Sequence, residues 1–209
     1  MPTLTALAPD PRQPGYRLVE VDRGRFASLP VAALERLSLQ LGADLAPAVL
    51  DRLRELADVE AAQRAALRAL ARRAHARLDL ERRLVKKQHP RAAVEAALER
   101  LAGRGLLDDR RFAEQYAAVR ATRGKGPARL LRDLLAQGVE RGTAEQAVSR
   151  ALEEEGIDPG LEARAVAAKR ARHLAGLPAP VRRRRLLAFL LRRGYGGLQV
   201  KELVRELCG

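Results

Sequence analysis

The side chains of this chain with the clearest chemical capacity are its cations. Arg and Lys gather at Arg72-Arg73, Arg77, Arg82-Arg83, Lys86-Lys87 and Arg91, then at Arg120, Arg123, Lys125, Arg129 and Arg132. They gather a third time at Lys169-Arg170, Arg172, Arg182-Arg183-Arg184-Arg185 and Arg192-Arg193. A guanidinium offers a fork of donors that matches two oxygens of a phosphate or carboxylate, and an ammonium supplies a compact charge. Such chemistry recognises an anionic partner; it does not make or break bonds. The chain carries 40 basic and 26 acidic residues, a formal net charge of +14. Residues 1–57 hold 7 of each, so the whole excess lies in 58–209. Codon composition alone would spread Arg evenly, whereas a polyanion-binding surface concentrates it. Within that region 58–107 carries net +6, 108–157 net zero and 158–209 net +8, which leaves a neutral middle between two basic ends. Any one cluster is equally well read as a solvated helix face. Arg182 to Arg185 resist that reading, because four cations around a helix start oppose the helix dipole and call for an anionic offset.

Bond-making constellations are not evident. Asp108-Asp109 resembles a carboxylate pair, but neighbours on a helix diverge by roughly 100°, and Asp before a helix is a common cap. His75, His89 and His173 are scattered without a second ligand one helical turn away. Gly124-Lys125-Gly126 lacks both the Walker spacing and a preceding strand. The one cysteine, Cys208, has no partner for a disulfide or a metal site. These readings predict a protein that is not an enzyme and needs no cofactor or metal. No apolar run reaches the roughly 20 residues of a membrane span. Met1–Gly15 lacks the basic start and apolar core of a signal peptide, so a cytoplasmic protein with no membrane contact is expected.

Aromatic content narrows the anionic partner. Tyr16, Tyr116, Tyr195, Phe26, Phe112 and Phe189 are the full set, and there is no Trp. Phe112 and Tyr116 stand at core spacing. No series of rings is left on which to stack successive bases, so sequence reading of single strands is not expected. Contact through the phosphate backbone, sensitive to salt and indifferent to sequence, fits the composition better.

The elements that must position these cations are helices. Hydrophobic residues make up 47% of the chain and are mostly Leu, Ala and Val, a composition that favours helix over sheet. Residues 1–14 contain four prolines and no periodic pattern, which predicts a flexible tail. Residues 15–57 predict a small appendix. Tyr16–Val21 and Arg25–Leu29 form a β-hairpin about Asp22-Arg23-Gly24, and short helices follow at Pro30–Gln40 and Ala46–Leu56. From Asp58 on, a repeat emerges when Gln88, Gly138 and Gly194 are aligned. Leu80, Leu130 and Leu186 coincide, as do Leu84, Leu134 and Leu190. Beyond the break Val94, Ala144 and Val200 match, then Ala97, Ala147 and Leu203, then Leu98, Val148 and Val204. Pairs four apart share a helical face. With a further helix upstream of each unit, near 60–74, 109–122 and 159–174, the body is a mainly α chain of three tandem three-helix modules at 58–107, 108–157 and 158–209. Each is too small to bury its apolar faces alone, so an elongated, curved stack is expected. Asp108 or Asp109, Asp158-Pro159, Pro90, Gly126-Pro127 and Pro178 mark the helix starts.

The stretch Leu101-Ala-Gly-Arg-Gly-Leu-Leu-Asp-Asp-Arg-Arg-Phe-Ala-Glu-Gln-Tyr116 resembles the central signature of the RecX family. Arg120-Ala-Thr-Arg-Gly-Lys-Gly-Pro127 is similar to the link that follows it there, and Phe189-Leu-Leu-Arg-Arg-Gly-Tyr195 to its C-terminal motif. The resemblance covers 58–209 well and 16–57 weakly. At Ala76-Arg77-Leu78-Asp79-Leu80 the chain departs from the pattern, lacking the Ser cap usual at that helix start. The resemblance implies a regulator, usually an inhibitor, of the RecA recombinase in DNA repair and the SOS response. Such a protein acts on RecA ATPase and strand exchange by lodging in the groove of the RecA–DNA filament or capping its growth. The candidate contact residues to filament and to single- or double-stranded DNA are Arg72, Arg73, Arg77, Arg82, Arg83, Lys86, Lys87, Arg120, Arg123, Lys125, Arg129, Lys169, Arg170, Arg172, Arg182, Arg183, Arg184, Arg185, Arg192 and Arg193. A monomer is expected. Two rivals stand beside this reading: a DNA-coating protein that binds phosphates without regard to sequence, and a helical scaffold for an acidic protein.

Overall fold

A computed structural model describes all residues, 1–209. Three antiparallel strands come first, β1 (Leu4–Pro9), β2 (Tyr16–Val21) and β3 (Gly24–Pro30), in the order β1-β2-β3. The β2–β3 hairpin closes on Asp22 and Arg23, both at positive φ (50° and 63°), with Val21 opposite Gly24. Two central residues at positive φ give the twist that a two-residue hairpin needs. β1 corrects the expectation of a flexible tail. Its prolines sit at or beyond its ends, where missing N–H groups cost an edge strand little, and Leu4 is fully buried.

Ten helices follow: α1 (Val31–Leu34), α2 (Pro47–Leu70), α3 (Arg77–Lys86), α4 (Arg91–Gly103), α5 (Asp109–Ala121), α6 (Pro127–Ala136), α7 (Arg141–Glu154), α8 (Pro159–Arg172), α9 (Ala179–Arg193) and α10 (Leu198–Cys208). The helix predicted at Pro30–Gln40 is only α1 plus a 3-10 turn, because Ser38 takes a left-handed conformation (φ 46°). The predicted helices at 46–56 and 60–74 are one 24-residue helix, α2. Ala57-Asp58-Val59 contains no breaker, so nothing stops propagation.

The chain forms two compact units, one of residues 1–74 with 80–107 and one of residues 75–79 with 108–209. In the first, the sheet covers α1 and the start of α2 through Leu4, Val19, Leu29, Leu34, Leu50 and Leu53. Tyr16 donates its hydroxyl to Glu60 of α2 at 3.1 Å, and Arg100 of α4 donates to the same carboxylate at 2.8 Å. Glu60 is 2% exposed, so both partners are needed there. A second core of the unit joins Ala62 and Ala66 to Leu80, Leu84, Val94 and Leu98.

The second unit holds two cores. One joins Phe112 and Ala117 to Leu130, Leu134, Ala144 and Val148, and takes in Ala76. The other joins Ala167 to Leu186, Leu190, Val200, Leu203 and Val204. The aligned positions are therefore the buried ones, and Gln88, Gly138 and Gly194 share positive φ (66°, 88° and 92°) after α3, α6 and α9. A close approach recurs within this unit. The space beside Gly138 is filled by Leu78, in the first turn of α3, as the space beside Gly194 is filled by Arg129, in the first turn of α6.

Candidate nucleic-acid interface

Helix starts decide where several candidate cations stand. Asp108 caps α5, accepting from the Arg111 N–H at 3.0 Å, while Asp109 accepts from the Arg77 N–H at 2.7 Å and so caps α3. The adjacent carboxylates serve two helices, which gives both a structural task. Arg77 is half-buried there, and His75 is buried with Nδ1 2.7 Å from Asp79. In the first unit Arg72 and Arg73 are exposed at the end of α2, and Arg82, Arg83, Lys86 and Lys87 are exposed on and just beyond α3. They lie away from the buried Leu80 and Leu84, and those in the last turn agree with the helix dipole.

The second cluster is largely answered from inside. Asp133 on α6 takes Arg129 at 2.8 Å, Lys125 at 3.2 Å and the Tyr116 hydroxyl at 3.2 Å. Arg120 stacks over the Tyr116 ring at 3.7 Å. Burial acts to raise the Asp133 carboxyl, but the hydrogen bonds and charges of Arg129 and Lys125 outweigh it and hold the group below its ordinary value. Burial, and then the Asp133 charge, push the Tyr116 phenol up. Asp133 is absent from the candidate residues; its i,i+4 spacing from Arg129 was the available signal. Arg123 and Arg132 of this group stand exposed without a carboxylate.

The third cluster divides. Arg182 is half-buried and donates to the Cys208 carbonyl at 3.0 Å, at the end of α10. The offset that four arginines at a helix start require is thus partly internal, supplied by the negative end of another helix dipole. Arg183, Arg184 and Arg185 are exposed, as are Arg172 and Arg192. Arg170 of α8 and Arg193 of α9 flank the Phe189 ring at 5.4 and 5.1 Å. Arg193 also donates to the Gly124 carbonyl at 3.2 Å, and the Gly126 N–H donates to the Arg193 carbonyl at 2.8 Å. These bonds bring Arg123, from the second cluster, beside Lys169, Arg170 and Arg193 around one cavity of about 610 Å3.

A further cavity of about 550 Å3 opens beside Tyr195, at the starts of α6 and α8. Burial, and then the charge of Glu162, push the Tyr195 phenol up to about 12. No helix is long and apolar enough to cross a membrane.

Two family profiles match the chain, "RecX, second three-helix domain" over 108–148 and "RecX, third three-helix domain" over 162–204. A "Regulatory protein RecX" of Halorhodospira halophila is 41% identical over 143 residues, 68% of this chain and 85% of that relative. One of Pseudomonas fluorescens is 36% identical over 146 residues, 69% of this chain and 90% of its own length. A crystal structure of regulatory protein RecX superposes with a TM-score of 0.72 over 99% of this chain and 100% of that one, at 19% identity. RecX from Lactobacillus salivarius superposes with a TM-score of 0.58 over 72% of this chain and 96% of its own, at 20% identity. At these identities the structures speak for the fold.

Proposed function

We propose, from the premise that this chain belongs to the RecX family of regulatory proteins, that it restrains the RecA recombinase by binding the RecA–DNA filament. It lowers the filament's ATPase and strand exchange without chemistry of its own, as a cytoplasmic monomer of three helical modules.

The observation that carries this reading is how the cations are answered. In the net-neutral segment 108–157, Lys125, Arg129, Arg141 and Arg150 are all paired with carboxylates of the chain. In the net-positive segments, Arg83, Lys86 and Lys87 and then Arg183, Arg184 and Arg185 are exposed on helix surfaces. Unanswered charge in each of the two units suits an anionic partner, such as DNA sheathed in protein.

The deciding experiment is steady-state ATP hydrolysis by the cognate RecA on single-stranded DNA, with this protein titrated in. Loss of hydrolysis at protein levels well below RecA supports filament regulation. Unchanged hydrolysis, with naked DNA still shifted in a gel, rejects it in favour of a DNA-coating protein. Failure to bind either leaves the helical scaffold for an acidic protein.

A further inference from the structure

We infer that the cavity bounded by the end of α5, by α8 and by the end of α9 is a phosphate site that grips a phosphodiester of a nucleic-acid strand. The inference rests on the DNA-binding part of the proposed function and names one place where that binding is specific in geometry.

Four cationic side chains, Arg123, Lys169, Arg170 and Arg193, line this cavity against a single carboxylate, Glu162. Like charges held this close repel one another unless something compensates them. For several other cations of the unit the compensation is a carboxylate. Asp133 answers Lys125 and Arg129, Glu145 answers Arg141, Glu114 and Glu154 answer Arg150, and Glu206 answers Arg164. Arg123, Lys169 and Arg170 lie outside every such pair. Arg170 and Arg193 are instead placed by the face of Phe189, which orients a guanidinium without cancelling its charge.

Two details bear on the cavity as an anion site. Arg170 Nε makes no hydrogen bond within the chain, as Arg182 Nε does not. Gly124 stands in the wall at φ 68°. A side chain there would begin 3.1 Å from Glu162 Oε1 and 3.2 Å from Arg193 Nη1, so glycine keeps the mouth clear. The cations converge from three segments of chain rather than from one fork. Guanidinium and ammonium donors arriving from several directions match the charge and the oxygens of a phosphodiester. At about 610 Å3 the cavity has room for a nucleotide unit.

The test uses the full chain and a fluorescent oligothymidylate, with binding measured across a KCl series. The variant Arg123→Ala/Lys169→Ala removes two exposed side chains that make no ion pair, so folding is preserved. Arg110→Ala/Arg141→Ala removes the same charge elsewhere in the unit and is the control. The cavity variant is expected to bind about tenfold more weakly, with a salt slope shallower by about 1.4, two phosphate contacts at roughly 0.7 each. The control is expected to stay within about twofold, as suits surface charges without a phosphate contact. Equal weakening in both variants, or none in either, overturns the site. Displacement of the oligonucleotide by micromolar ADP overturns the backbone assignment in favour of a free nucleotide; displacement only at millimolar ADP supports it. Suppression of RecA ATPase by the unaltered protein is read separately. If suppression holds while the cavity variant binds DNA normally, the cavity falls alone. If the slope changes as expected while RecA is unaffected, the regulatory reading falls alone.

Discussion

Asp109 accepts a hydrogen bond from the backbone N–H of Arg77 at 2.7 Å, so the cap of α3 comes from a residue that opens α5. Asp108, its neighbour, caps α5 itself. Each link is worth about 1 kcal/mol by the usual cost of losing a cap. Asp108→Ala and Asp109→Ala should each lower Tm by roughly 2–4 °C for a chain of this size. The double variant should lose the sum, because the two carboxylates serve different helices. Thermal melts read this directly, and a double variant no worse than either single would show that the two act as one unit.

Gly138 and Gly156 separate backbone strain from crowding. Both stand at positive φ (88° and 60°), but Leu78 fills the space beside Gly138 and nothing lies within 4 Å of Gly156. Gly156→Ala should cost about 1–2 kcal/mol, the left-handed penalty alone. Gly138→Ala should cost that plus an overpacking cost of about 1–3 kcal/mol. Urea denaturation checks it; equal losses would mean that the Leu78 contact yields freely.

Asp133 offers a pH test. Its folded-state value lies below the ordinary one, so its contribution is present above about pH 3.8 and is lost as pH falls through the lower folded value. Asp133→Asn should flatten that acid limb and cost about 1–3 kcal/mol at neutral pH, by leaving half-buried cations unanswered. It also frees Lys125 and Arg129, so affinity for naked DNA should rise. A fall in DNA affinity for the folded variant would refute this account.

Arg182 and its three successors should part company. Arg183→Glu/Arg184→Glu/Arg185→Glu alters exposed positions, and is expected to keep the melting profile while weakening suppression of RecA ATPase several-fold. Arg182→Ala loses the bond to the Cys208 carbonyl and should mainly lower stability. Undiminished suppression by the folded triple variant would remove this cluster from the filament contact.

All three tyrosines are shifted upward, each chiefly by burial, with Tyr195 at about 12. A neutral phenol held this way contributes stability fully below the unfolded value of 10 and loses it as pH climbs towards the folded values. Absorbance at 295 nm, free of Trp in this chain, should show no ionisation midpoint at or below 10. A midpoint at 10 for one tyrosine would mean that its ring is wetter than the packing implies.

The helical cores were legible in the sequence because helix burial is periodic. Leu80 with Leu84, Leu130 with Leu134 and Leu186 with Leu190 announce their shared faces by spacing alone, and all six are buried. The helix starts at Asp108, Pro127 and Asp158-Pro159 were legible for the same local reason. β1 was hidden behind its prolines, since its pairing depends on β2 rather than on its own composition. The roles of the cations were not legible at all. That Arg182 meets a carbonyl 26 residues away, that Arg193 meets one 69 residues away, and that Arg123 joins Lys169 and Arg170 around one cavity depend on which helix ends meet in space. From Arg77 on, the helices and their buried faces, like the excess of positive charge, could be read along the chain, because each follows from local chemistry and period. Which charges are answered within the chain and which are not came from the folded arrangement, because charge pairing depends on distance in space and not on separation along the backbone.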